Sequence, residues 1–256
     1  MNRRTFIALA ASGATACILG NATNARAAAA ARFRAVAFDG FVTFDPRPVS
    51  ALAEENFPGK GAELSNAWRT RQFEYSWLRT IEQRYADFRQ VTEDALVYAT
   101  NSLKLNLTKD ARDRLMGAYF KLKAWPDVVP ALSALKNAGI RLAFLSNLTE
   151  EMLKANVASA GLDPYFEQLI STDRVREFKP SPRAYQMGID AFKLRKEEIA
   201  FAAFGGWDAA GAKSFGYSTF WVNRLNTPVE ELGTPPDGIG GMAELVRFVL
   251  PDTVNS

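Results

Sequence analysis

Short strand-like segments, mostly apolar, recur in this chain at 35–38, 140–145, 166–171, 199–204 and 218–223, with segments of helical pattern between them. A buried parallel strand is covered on both faces, so it reads as continuous hydrophobic residues rather than as alternation. The β-α-β-α order therefore predicts an α/β fold with a doubly wound, Rossmann-like parallel sheet. The strand ends of such a sheet share one edge, and ligands bind just beyond it. The polar residues that stop these runs are the first place to look for chemistry.

The first run ends in Asp39-Gly40, the second in Ser146-Asn147 and the fourth in a loop that reaches Asp208, while Lys179 arrives from a loop after the third. Brought to one edge, these groups form a coherent set. There is a carboxylate to attack, an ammonium to balance charge and keep Asp39 ionised, donors for an anionic substrate, and a second carboxylate. Taken alone, Asp39 is equally a turn-capping residue.

Composition narrows the chemistry further. The 256 residues contain no histidine, and the single cysteine is Cys17. Histidine triads, histidine bases and histidine metal sites are excluded. Residues 1–27 read as a twin-arginine signal peptide: Arg3-Arg4, a short apolar run from Phe6 to Leu19, and Ala25-Arg26-Ala27 as a cleavage signature. The run is too short to span a bilayer. Export to the periplasm is the expectation, with a mature chain free of thiols and not stably membrane-bound. Cleavage removes Arg3, Arg4 and Arg26, leaving 28 basic against 28 acidic residues. Such a balance offers no basic surface for nucleic acid.

Between the first and second runs the pattern is helical, after an interruption at Pro46 and Pro48. Trp68, Phe73, Trp77, Leu78, Ile81 and Tyr85 fall at three- and four-residue spacing, which predicts one amphipathic face. Further helices are expected over 92–100 and, opened by Thr108, over 109–121. The expected layout is an α/β core over 28–45 and 124–256 with a helical cap over 46–123. By periodicity alone, the block is equally a plain helical subdomain.

Several stretches carry a resemblance beyond pattern. They are Phe38-Asp39-Gly40-Phe41-Val42-Thr43, Trp68-Arg69 with Gln72 through Arg79, Leu145-Ser146-Asn147, Lys179-Pro180 with Arg183 and Tyr185, and Trp207-Asp208-Ala209 with Trp221-Val222-Asn223-Arg224. In order and surroundings the chain resembles the haloacid dehalogenase superfamily, and within it the type II subgroup, the L-2-haloacid dehalogenases. The resemblance runs from about Ala35 to Asp237.

It implies a hydrolytic (S)-2-haloacid dehalogenase that turns a small L-2-haloacid into a D-2-hydroxyacid and halide, with no metal or other cofactor. Asp39 would attack C2 and form an ester, Arg69 would reach the halide from the cap, and Phe88 would wall the pocket. Ser146 and Asn147 would bind the substrate carboxylate. Lys179 would stabilise Asp39 and that carboxylate, and Thr43 would support the first loop. Tyr185 and Trp207 would line the site, and Asp208 would place the hydrolytic water. Relatives are commonly dimers, and the apolar cap face could supply a homodimer interface.

The chain departs from the subgroup at three positions. Ala203 and Gly205 stand where a Ser and an Asn are usual before the last Asp, and Val42 stands where a Gly is usual. Two other readings stay open beside the dehalogenase. One is a catalytically impaired relative that binds small carboxylates. The other is a phosphatase of the same superfamily, opposed by Phe41 where a second Asp would be needed.

Overall fold

The computed structural model describes residues 32–251; the expected signal peptide lies outside them. The chain enters with β1 (Ala35–Phe38), a single helical turn α1 (Gly40–Thr43) and a two-residue strand β2 (Phe44–Asp45). Four helices follow: α2 (Arg47–Asn56), α3 (Gly61–Ile81), α4 (Phe88–Ser102) and α5 (Lys109–Ala118). The chain returns through β3 (Lys123–Ala124), α6 (Val128–Asn137), β4 (Arg141–Ser146), α7 (Glu150–Ala160) and β5 (Gln168–Ser171). After α8 (Pro182–Phe192) come β6 (Ile199–Ala203), α9 (Gly206–Phe215), β7 (Ser218–Val222), β8 (Gly238–Gly240) and α10 (Met242–Val249).

The main sheet has the order β5-β4-β1-β6-β7-β8, and every neighbouring pair is parallel. From β1 the chain first builds outward through β4 and β5, then returns to the other side through β6, β7 and β8. The order therefore reverses at β1, which is where an open α/β sheet leaves a crevice at its carboxyl edge. Residue alternation divides the core. Val36 and Phe38 pack on one face with Leu132, Leu153 and Leu245, while Ala35 and Ala37 pack on the other with Tyr185, Phe192 and Ala212. Helices α6, α7 and α10 thus cover one face, and α8 and α9 the other. The predicted doubly wound sheet is what forms, with β8 and α10 as additions that the sequence reading did not place.

Capping explains several boundaries. The Thr149 hydroxyl accepts from Met152 N and opens α7, with Glu150 and Glu151 in the first turn where the helix dipole favours acids. Thr108 opens α5 in the same way. Pro46 and Pro48 do not interrupt structure. They sit at the cap and first turn of α2, positions where the missing N–H costs nothing.

The amphipathic face expected on α3 is corrected. Its buried stripe is Gly61, Leu64, Trp68, Gln72 and Ser76. Leu78 and Ile81 are 48% and 77% exposed, and Tyr85 lies beyond the helix end. Polar members are tolerated in the stripe because they satisfy one another. Gln72 Nε2 donates to Thr92 Oγ1 at 2.6 Å, Thr92 Oγ1 to Phe88 O at 2.6 Å, and Trp68 Nε1 to Thr92 O at 2.7 Å. This network ties α3 to α4.

Candidate active site

Asp39 follows β1 directly and caps the turn α1: its Oδ1 accepts from Phe41 N at 2.9 Å. Thr43 Oγ1 closes the same turn by donating to Gly40 O at 2.9 Å. Gly40 is needed for close approach. A Cβ there would lie 2.8 Å from Leu148 Cδ1 and 2.9 Å from Ser146 Oγ, so the loops after β1 and β4 can touch only through glycine. From the far side, Arg224 donates to Val42 O at 2.9 and 3.2 Å and holds the turn against β7. Val42 is buried in α1 and has no positive φ, so its replacement of glycine carries no strain.

Lys179 is wholly buried and joins the two carboxylates. Its Nζ donates to Asp39 Oδ2 at 2.8 Å and to Asp208 Oδ2 at 2.6 Å, and it lies 5.1 Å from the Phe201 ring centre. Asn147 fixes the loop that carries it: its Oδ1 accepts from Lys179 N at 3.0 Å and from Thr172 Oγ1 at 3.2 Å. With Oδ1 so engaged, the amide NH₂ is the part of Asn147 left for the cavity it lines.

Asp208 sits in the first turn of α9 and accepts from Tyr185 Oη at 2.7 Å through its second oxygen. Burial pushes the Asp208 carboxyl up to about 6, with the Lys179 ammonium pulling down against it and the charge of Asp39 adding to the rise. For Lys179, burial acts downward, but the charges of Asp208 and Asp39 outweigh it and hold the ammonium above the ordinary lysine value. The two directions have different leading causes: burial raises the carboxyl, and the two facing carboxylates raise the ammonium. Burial and the Asp208 charge also raise the Tyr185 phenol well above its usual value, so it stays a donor.

Two cavities meet at this edge of the sheet. The inner one is lined by Asp39, Phe41, Phe73, Phe88, Ser146, Asn147, Phe204, Gly205, Trp207 and Asp208. It has about 20 Å³ of room for water centres, little more than one water requires. The outer chamber, about 130 Å³ by the same measure, shares Phe41, Phe73 and Phe204 with it and includes Arg47, Arg69, Trp68 and Tyr119. Trp207 packs at 5.3 Å against Phe73 and at 5.5 Å against Trp77, so α3 roofs the inner cavity with aromatic rings.

The expected site residues accordingly separate into groups. Asp39, Phe88, Ser146, Asn147, Trp207 and Asp208 meet around one cavity, with Lys179 beneath it. Three others stand elsewhere. Thr43 is buried under the loop, Tyr185 lies behind Asp208, and Arg69 is exposed in the outer chamber. Of the residues that the sequence reading did not assign to the site, Phe41, Phe73, Phe204 and Gly205 form much of the inner wall. Phe73 had the pattern of a core residue, and Phe204 simply ended an apolar run.

A family model for haloacid dehalogenase-like hydrolases matches residues 25–216. The chain is 41% identical to haloacetate dehalogenase H-2 of Moraxella sp. (strain B), over 80% of this chain and 92% of that one. It is 40% identical to (S)-2-haloacid dehalogenase 2 of Pseudomonas sp. (strain CBS-3), over 86% and 98%. Among solved structures, the L-2-haloacid dehalogenase RSc1362 superposes with a TM-score of 0.83 at 42% identity, covering 85% of this chain and 98% of that one. The L-2-haloacid dehalogenase of Xanthobacter autotrophicus with chloropropionic acid covalently bound superposes with a TM-score of 0.78 at 33% identity, over 85% and 98%.

Proposed function

The chain belongs to the haloacid dehalogenase-like hydrolases, and from that premise we infer that it is a hydrolytic (S)-2-haloacid dehalogenase in which Asp39 is the nucleophile. The observation that carries the assignment of the nucleophile is the placement of Asp39 at the switch point of the sheet, its carboxylate on the cavity and braced from below by Lys179. Attack on C2 of an L-2-haloacid expels halide with its electron pair and inverts the carbon, leaving an ester on Asp39. Water then attacks the ester carbonyl and gives one proton to Asp208, which passes it to the departing alkoxide; the D-2-hydroxyacid leaves, and the carboxyl regenerated on Asp39 loses the second proton to solvent. Ser146 and Asn147, at the end of β4 beside Asp39, are placed to hold the substrate carboxylate.

The segment 46–123 acts as the cap. The inner cavity is nearly closed, so substrate enters when the wall of Phe41, Phe73 and Phe204 parts. A phosphatase reading fails on the residue at 41. Phosphoryl transfer on this loop would need an acid there, and an aromatic ring packed 5.9 Å from Phe204 stands in its place. Halide is a leaving group that needs neither a general acid nor a metal, and halide release is expected to be unchanged by exhaustive chelation.

The missing side chains at Ala203 and Gly205 favour a slow second half-reaction. The Asp208 side chain has two hydrogen-bond partners, Lys179 and Tyr185, and both occupy it from the buried side. A stoichiometric burst of halide followed by a slower steady state is the expected signature. The deciding experiment is halide release from L- and D-2-chloropropionate by the purified mature chain. Release from the L form alone supports the reading, and release from neither, with no adduct by mass spectrometry, leaves a carboxylate-binding relative.

The leader supports export. Arg3-Arg4, the short apolar run and Ala25-Arg26-Ala27 point to a periplasmic enzyme whose mature chain starts near Ala28. N-terminal sequencing of the native protein should begin there, and a start at Met1 or Asn2 would remove the proposal.

A further inference from the structure

The backbone N–H groups of Phe178 and Lys179 lie outside any strand or helix, and each is held by a side chain. Phe178 N donates to Thr80 Oγ1 at 3.1 Å, and Lys179 N donates to Asn147 Oδ1 at 3.0 Å. One acceptor thus comes from the cap and the other from the core. Thr80 sits in the last turn of α3, where its hydroxyl donates to Ser76 O at 2.8 Å and leaves its oxygen as the acceptor. The Phe178 ring is wholly buried and is gripped from the cap as well. Tyr85 packs 5.1 Å from it, and Phe88, which lines the inner cavity, 6.3 Å from it. Tyr85 in turn donates its hydroxyl to Asp173, earlier in the same loop.

These ties act on a residue whose position has little tolerance. The Lys179 ammonium donates to Asp39 Oδ2 at 2.8 Å and to Asp208 Oδ2 at 2.6 Å. Such bonds run to about 3.2 Å, so a backbone shift of about half an ångström bends or breaks one of them. With no ladder of strand bonds to hold it, the backbone at 178–179 takes its position from Asn147 on one side and from the cap on the other. We propose that Thr80 and Tyr85 are positioning residues: they hold Phe178 from the cap and thereby set the Lys179 ammonium between Asp39 and Asp208. The cap then does more than cover the cavity, because the end of α3 fixes the charge beneath the nucleophile. For its effect on turnover the inference rests on the dehalogenase reading given above.

Thr80→Val keeps the shape of the side chain but removes the acceptor for Phe178 N, whereas Thr80→Ser retains it. The Asp208 carboxyl reports on the lysine, since the Lys179 ammonium pulls it down against burial and the charge of Asp39, with Tyr185 as its other partner. In protein labelled with ¹³C-aspartate, its carboxyl resonance is the one that disappears in Asp208→Asn, and it should titrate with a midpoint of about 6 in the wild type. The midpoint should move up in Thr80→Val and return in Thr80→Ser. In single turnover, Thr80→Val should slow halide release about ten- to hundredfold, and Thr80→Ser should restore it. Tyr85→Leu, which removes both the ring and the tie to Asp173, should also raise the midpoint, and it decides the matter if Thr80→Val does not fold. A loss of stability in urea with midpoint and release rate unchanged would reduce these contacts to packing and overturn the assignment. So would slower release with an unmoved midpoint, since the effect would then bypass the lysine. A wild type that releases no halide from L-2-chloropropionate would instead remove the reaction itself, and the titration would still decide whether the cap sets the lysine.

Discussion

Lys179 Nζ lies 2.6 Å from Asp208 Oδ2, and neither side chain is more than 1% exposed. With Asp39 at 2.8 Å on its other side, this lysine joins the two carboxylates below the cavity. Lys179→Met removes the cation but keeps much of its volume. Two buried carboxylates would then face each other unbalanced, a situation that costs about 3–5 kcal/mol when one partner of a buried pair is lost. Urea unfolding should show a loss of that order at neutral pH, and halide release should fall to background. The defect in stability should shrink on acidification, as protons replace the missing charge.

On the proposed mechanism, Asp208 gives the reaction its acid limit. Because its pKa is raised to about 6, the group takes up a proton as pH falls through that value and can no longer receive one from water. Hydrolysis of the ester should decline below about pH 6 while the halide burst persists. The sign for stability runs the other way. A carboxyl raised in the folded state binds its proton more tightly there than in the unfolded chain, so its stabilising contribution is present at low pH and is lost as pH rises through about 6. Between pH 7 and 5 the Asp208 contribution to the melting temperature should therefore rise while turnover falls. A melting temperature that collapsed in step with activity would mean that unfolding, not protonation of Asp208, sets the limit.

Gly40 separates packing from chemistry. Gly40→Ala places a methyl 2.8 Å from Leu148 Cδ1 and 2.9 Å from Ser146 Oγ. Overpacking of this kind costs about 1–3 kcal/mol, and here it pushes Ser146 away from the substrate carboxylate. KM for 2-chloropropionate should rise with a smaller change in the burst rate constant. An unchanged KM would show that the β4 loop has room to yield and that Ser146 does not grip the substrate.

Much of this arrangement was legible in the residues. Asp39, Asn147, Lys179 and Asp208 could be brought together because parallel strand ends share an edge, a constraint that needs no knowledge of packing. The inner wall could not be read the same way. Phe204 ends the apolar run of β6 and Phe73 sits at helical spacing, and periodicity does not distinguish a ring facing a cavity from one facing a core. The buried stripe of α3 was hidden for a related reason: Gln72 and Ser76 count as polar, yet hydrogen bonds to Thr92 and within the helix let them pack inside. Arg69 belongs with the motif but is turned into the outer chamber. Gly205 and Gly206 read as loop, yet α9 starts at Gly206 and so carries Trp207 and Asp208 in its first turn.

The central claim is that oxygen reaches the product through Asp39. Asp39→Asn preserves shape while removing the attacking charge, and it should abolish halide release without unfolding the protein. Isotope labelling tests the claim most directly. In a single turnover with enzyme in excess and H₂¹⁸O as solvent, the hydroxyacid should carry unlabelled oxygen from Asp39, and ¹⁸O should appear in the peptide containing that residue. Label found in the hydroxyacid during the first turnover, with none in Asp39, would mean direct attack by water and would contradict the account.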